Sequence, residues 1–185
     1  MADLYVKVDG SGDFPTIQAA VDAACPGTVL HLGEGTYSEH VRIDKDLRLV
    51  GAGKHKSTIK TAMKGSPITI EGGHVELEDL AIHGGGGFQN RLIAQKKMTD
   101  KLFSDRQEPF ISLSEVPESM LESDVGPGVW VMLSAKLTMK NCLVAMHEKE
   151  GLRVEGVAAI QDSDFSYSGN LRLGMEEILF GESCG

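Results

Sequence analysis

Large side chains are scarce in this chain. Aromatic residues make up 5% of its 185 positions, with a single Trp. Sandwiches and broad bundles fill their interiors with many bulky groups, so the shortage points to a narrow core. Cysteine is nearly as sparse. Cys25, Cys142 and Cys184 form an odd set at unrelated spacings, which excludes a disulfide-built fold and a cysteine-ligated zinc site and leaves reduced, structural thiols as the expectation. No apolar run is long enough to cross a bilayer, and the opening MADLYVKVDG holds no apolar signal core, so the expected location is cytoplasmic. Positive charge is short as well: 18 Lys and Arg stand against 27 Asp and Glu, a net charge of −9. That balance disfavours nucleic acid and anionic membrane as partners, and it disfavours a polyanion unless a local basic groove exists.

Glycine, by contrast, is plentiful at 22 residues. Many tight turns around a thin core suit a coil of short strands. Residues 3–8 (DLYVKV) alternate and read as an edge strand. In 15–24, Ile17, Ala20, Val21 and Ala24 share one helical face, Asp13 or Thr16 is placed to cap the start, and Pro26-Gly27 ends it. The apolar period then switches to two. TVLHL (28–32), HVRI (Val41, Ile43), LRLV (Leu47, Leu49), STIK (Ile59), ITI (Ile68, Ile70) and HVELEDLAI (Val75, Leu77, Leu80, Ile82) read as successive strands. The turns between them are too short for crossover helices, and the hairpin dipeptide Asp9-Gly10 precedes the helix rather than joining strands. An all-β solenoid satisfies both facts, because each strand stacks on its counterpart one coil later. The helix then plugs one open end.

Internal repetition points the same way. Val75–Ile82, Leu137–Val144 and Ala158–Phe165 each carry apolar residues at the first, third and eighth places and Asp or Asn at the fifth. Asp79, Asn141 and Asp162 therefore fall at one corner, where Asn and Asp tolerate left-handed backbone. The last two repeats are 21 positions apart, one coil; the first two are 62 apart, which is three coils or one coil plus an insertion. Residues 88–127 break the rhythm, with a basic half (Arg91, Lys96, Lys97, Lys101, Arg106) and an acidic half. They read as a long insertion that leaves the coil and either orders against a partner or folds over the groove.

The words VDGSGDFPTIQAAVDAA, GTYSEHV, LVGAG and STI, spread over residues 8–61, resemble the start of pectin methylesterases, within the larger group of right-handed parallel β-helix proteins. The G-x-Y-x-E pattern sits at Gly35, Tyr37 and Glu39 and is framework in that family. The resemblance implies a right-handed parallel β-helix of about five or six coils, a single domain over 1–185 with an N-terminal capping helix. It also implies where to look for chemistry. The family uses two aspartates, one as nucleophile and one as general acid/base, an orienting arginine and oxyanion-holding glutamines. They come from blocks reading roughly QAVAL, QDTL, DFIFG and LGRPW, and none is intact here.

Gln161-Asp162-Ser163-Asp164-Phe165 echoes one block, so Asp162 and Asp164 are the only catalytic candidates, with Arg153 or Arg172 as the available cation, should they converge on one exposed sheet. Glycine words are equally empty. Gly10-Ser11-Gly12-Asp13 lacks dinucleotide spacing, and the glycines at 84–87 lack the Lys-Ser/Thr of a phosphate loop. Histidines 31, 40, 55, 74, 83 and 147 are scattered with no ligand spacing, so neither metal nor cofactor is expected. Trp130 and Tyr167 are single aromatics more consistent with packing than with sugar stacking. A retained framework with an empty catalytic set favours a non-enzymatic scaffold that docks on other proteins through its C-terminal end and the 88–127 insertion. The competing expectation is a carbohydrate-binding or pectinesterase-like protein using the groove of the coil.

Overall fold

A computed structural model of the chain describes residues 3–61, 65–84, 126–145 and 150–166, and the strand backbones of 172–173 and 178–180. Three parallel sheets run along it. The first holds β1 (Asp3–Val6), β2 (Thr28–Leu32), β5 (Leu47–Gly51), β8 (Gly73–Glu78), β11 (Ala135–Lys140), β14 (Val157–Gln161) and β17 (Ile178–Phe180). The second holds β3 (Gly35–Ser38), β6 (Ser57–Lys60), β9 (Ala81–His83), β12 (Leu143–Ala145) and β15 (Asp164–Ser166). The third holds β4 (Val41–Ile43), β7 (Ile68–Ile70), β10 (Val129–Val131), β13 (Leu152–Val154) and β16 (Arg172–Leu173). From β2 onward the chain visits first, second and third sheet in turn and then climbs one rung. This is the right-handed parallel β-helix.

Short strands suffice because each needs only its inward residues. Leu30, Leu49, Leu77, Met139 and Ile160 lie in register up the first sheet. Val41 and Ile43, Ile68 and Ile70, Val129 and Val131, and Leu152 and Val154 do the same on the third. All are buried, and a buried aliphatic side chain contributes about 1.5–3 kcal/mol. Packing identical rungs forms one continuous core. An Ala at Leu77 would open that column on two sides.

The helix α1 (Ile17–Ala23) closes the mouth. Thr16 is its N-cap in extended conformation, with its side-chain oxygen accepting from the Ala19 amide at 3.2 Å. Ala24 leaves the helix, and Gly27 turns the chain at φ +83. The helix is thus shorter than 15–24 at both ends, because Thr16 spends its side chain on capping. Ile17, Ala20 and Val21 bury against the first rungs.

Two expectations need correction. HVELEDLAI is not one strand: Asp79, at φ 55, breaks it into β8 and β9. GTYS, read only as a motif, forms β3. The 62-residue spacing is one coil plus an insertion, since β8 pairs directly with β11. Asp79, Asn141 and Asp162 stand at equivalent corners with φ 55, 48 and 49. Of the eighth-place residues, Ile82 and Val144 are buried, while Phe165 is 39% exposed. Residues 85–125, Tyr167, His147, Cys184 and the C-terminal end lie outside the described residues.

Candidate functional site

Inward apolar residues fix what points outward between them. On the third sheet each strand reads apolar–X–apolar, so the X positions form a column on the outer face. That column is Arg42, Thr69, Trp130 and Arg153, aligned rung on rung; the backbone of Arg172 pairs in register with Arg153 on the next strand. Adjacent rungs are about 4.8 Å apart. The corner segments that enter this sheet rise beside the column. Gly126 N–H donates to the Gly65 carbonyl at 3.1 Å, and Gly128 N–H to the Glu150 carbonyl at 2.9 Å. Floor and wall together enclose a concavity of about 430 Å³, lined by His40, Arg42, Ser66, Trp130, Glu150 and Arg153 among others.

Each guanidinium in the groove is oriented by a carboxylate. Arg42 Nε donates to Glu71 Oε1 at 2.8 Å, and its Nη2 lies 2.6 Å from the same oxygen. Arg153 Nε donates to Glu150 Oε2 at 3.0 Å, and its guanidinium stands over the Trp130 ring, 5.6 Å from the centroid. Both pairs engage the Nε side, and a guanidinium carries five donors in a rigid fork. The His40 ring nitrogen Nδ1 lies 3.1 Å from the Ser66 carbonyl, which can only accept, so Nδ1 carries the proton. Trp130 is half-buried, and its indole N–H has no hydrogen-bond partner among the described residues. A flat ring beside oriented guanidiniums is chemistry suited to a polyhydroxylated, polar ligand.

The residues singled out by the sequence do not meet there. Asp164 sits on β15 in the second sheet and pairs with Lys54 at 2.8 Å. That hydrogen bond and charge hold its carboxyl below the usual aspartate range. Asp162 occupies the corner before it. Arg153 is on the third sheet, so the set Asp162, Asp164 and Arg153 does not converge on one face. Sequence reasoning missed Arg42, Thr69, Glu71 and Glu150, and assigned Trp130 to packing. The signal was present in the aligned triplets VRI, ITI, VWV and LRV, whose middle residues share one face.

The G-x-Y-x-E pattern is structural. The Tyr37 hydroxyl lies 3.0 Å from both the Val6 and Gly33 carbonyls, and burial, reinforced by nearby Glu39, pushes the phenol up. Glu39 accepts from the Ile17 and Gln18 amides at 3.0 Å each, so its carboxylate ties the first turn of α1 to the first coil. Its negative charge also suits a helix N-terminus. Cys142 is a buried free thiol pushed up to about 11 by burial, and Cys25 is free and exposed, so of the two described cysteines Cys142 fits the expected structural role. No group of three or more metal-ligating side chains occurs among the described residues.

The three stacked sheets and the capping helix define a parallel β-helix protein. Within that class the chain resembles pectin methylesterases. A pectinesterase of Arabidopsis thaliana is 31% identical over 116 residues, which cover 54% of this chain and 40% of that protein. The pectin methylesterase of Erwinia chrysanthemi superposes over 89% of this chain and 49% of its own, with a TM-score of 0.66 and 18% identity. A pectin methylesterase crystallised with a hexasaccharide gives 0.63, again at 18% identity over 89% and 49% of the two chains. The chain thus spans about half the length of these relatives or less. No protein-family model matches it. At 18% identity the structural likenesses show the fold.

Proposed function

We propose that this chain recognises a pectin-type carbohydrate in the groove on its third sheet. One observation carries the reading: Trp130, stacked with Arg153, lies in register with Arg42 on an outward column flanked by Glu71 and Glu150. The indole offers a face for a sugar ring, while the guanidiniums supply fixed donors for hydroxyl and carboxylate oxygens. The groove also answers the objection raised by net charge. Two Arg and two Glu make it locally neutral in a chain of −9, so a uronate polymer meets no net negative charge there, unlike the average acidic surface. The likeness to pectin methylesterases supports the ligand class.

Calorimetric titration with oligogalacturonides, free and methyl-esterified, tests this. The expected result is saturable binding that Trp130→Ala weakens by about tenfold, equivalent to ~1.4 kcal/mol. Lack of binding to either form would end the reading. A second reading, ester hydrolysis, is favoured by the Glu150–Arg153 contact, a carboxylate oriented by a guanidinium. Methanol release from methyl-esterified pectin, abolished in Glu150→Gln and retained in Asp162→Asn, is the result that would establish it.

A further inference from the structure

The end of a β-helix presents unpaired strand edges, and such edges invite another strand. At the N-terminal end, β4 is the last strand of the third sheet. The Val41 amide and the Ile43 carbonyl turn toward the next rung, where they bond the Pro67 carbonyl at 2.8 Å and the Glu71 amide at 2.7 Å. By the alternation of a strand, Arg42 turns its own N–H and carbonyl to the open edge. Both are taken by one side chain. Gln18 Oε1 accepts from the Arg42 amide at 2.8 Å, and Gln18 Nε2 donates to the Arg42 carbonyl at 3.3 Å. The primary amide repeats the donor and acceptor of a peptide group.

The first sheet ends in the same way. The Val6 carbonyl accepts from Gly33 N–H at 2.9 Å, toward β2. Tyr5 therefore faces its N–H and carbonyl outward. Asp13 takes both: its carboxylate accepts from Tyr5 N–H at 2.8 Å, and its own amide donates to the Tyr5 carbonyl at 2.6 Å. The terminal strand of the second sheet, β3, has only four residues and meets solvent at Thr36 and Ser38.

We propose that Gln18 and Asp13 are surrogate strands, placed to close the N-terminal edges of two sheets against addition of a further strand from a second copy of this chain. Gln18 closes its edge with its side chain alone, and Asp13 with its carboxylate beside the Asp13 and Phe14 backbone amides, so the side-chain part of the block is separable from the core. Gln18 also anchors the backbone of Arg42, whose side chain lines the groove.

The test compares amide exchange in the full chain and in Gln18→Met, Gln18→Glu and Asp13→Ala. Met keeps the length and helix preference of Gln without its polar atoms; Glu keeps the acceptor. The expected result is exchange at Arg42 roughly fivefold or more faster in Gln18→Met, near wild type in Gln18→Glu, and a matching rise at Tyr5 in Asp13→Ala. The core amide of Leu77 should not change. Light scattering across a concentration series should then show a larger species for Gln18→Met with Asp13→Ala that the unaltered chain lacks. Equal Arg42 exchange in the Met and Glu variants overturns the surrogate assignment. Open Arg42 and Tyr5 amides with wild-type mass at every concentration overturn the blocking role.

Discussion

Two corners of the same coil behave differently. The corner from first to second sheet is tight wherever the repeat was legible: 79–80, 141–142 and 162–163, each opened by Asp or Asn in left-handed backbone. The corner from second to third sheet varies from 39–40 to 61–67 to 84–128. The groove lies against the second kind. A tight corner holds the rungs in register and leaves no room for chemistry. A variable corner adds walls without disturbing the stack, which is why polar, ligand-suited residues collect there.

Substitutions at the two corners sharpen that contrast. The largest effect is expected at the tight one. Asn141 donates from its side-chain amide to Asp79 on the rung below, so Asn141→Val forces a β-branched residue to positive φ and breaks this bond. Together these cost about 2–3 kcal/mol. Asn141→Gly accepts the backbone and should recover about half, read from urea denaturation midpoints. Glu39→Ala, in the short 39–40 segment, deprives two helix amides of their acceptor. A loss of about 1–2 kcal/mol is expected, with early fraying of α1 by circular dichroism.

At the variable corner the balance reverses. A Cβ on Gly126 would lie 2.5 Å from Ser66 Oγ and 2.9 Å from the Gly65 carbonyl carbon. Gly126→Ala must therefore shift the groove wall. We expect a stability loss of about 1–2 kcal/mol and glycan affinity down by roughly fivefold or more, measured calorimetrically. The reverse pattern, full affinity with large destabilisation, would make both corners structural.

The smallest effect is electrostatic. The hydrogen bond and charge of Arg48, aided by Lys140, hold the Glu78 carboxyl below its ordinary value of 4.5. A depressed carboxyl contributes stability above its unfolded pKa and loses it as pH falls through the folded one. Glu78→Gln should flatten the acid limb of the stability curve below pH 4.5 and cost less than about 1 kcal/mol at pH 7.

Much of the coil was legible because alternation is a one-dimensional signal. Val41 and Ile43, or Leu47 and Leu49, declare an inward face without reference to anything distant. The split of HVELEDLAI was half-visible: the repeat marked Asp79 as a corner, while the unbroken apolar alternation hid the bend. GTYS escaped because β3 has one buried anchor, Tyr37, whose hydroxyl serves Val6 and Gly33 rather than a pattern. The groove was hardest to see. Arg42, Thr69, Trp130 and Arg153 are ordinary outward residues on separate strands, and nothing local says that they are neighbours.

The sequence by itself determined the coil, its capping helix and its left-handed corners, since periodicity, capping chemistry and backbone tolerance act over a few residues. Only the tertiary structure decided the register. That register lifts Trp130 between Thr69 and Arg153, sends Asp164 to Lys54 on another face, and gives Gln18 the free edge of β4. Such placements follow from stacking whole rungs, a long-range constraint that no short stretch of chain contains.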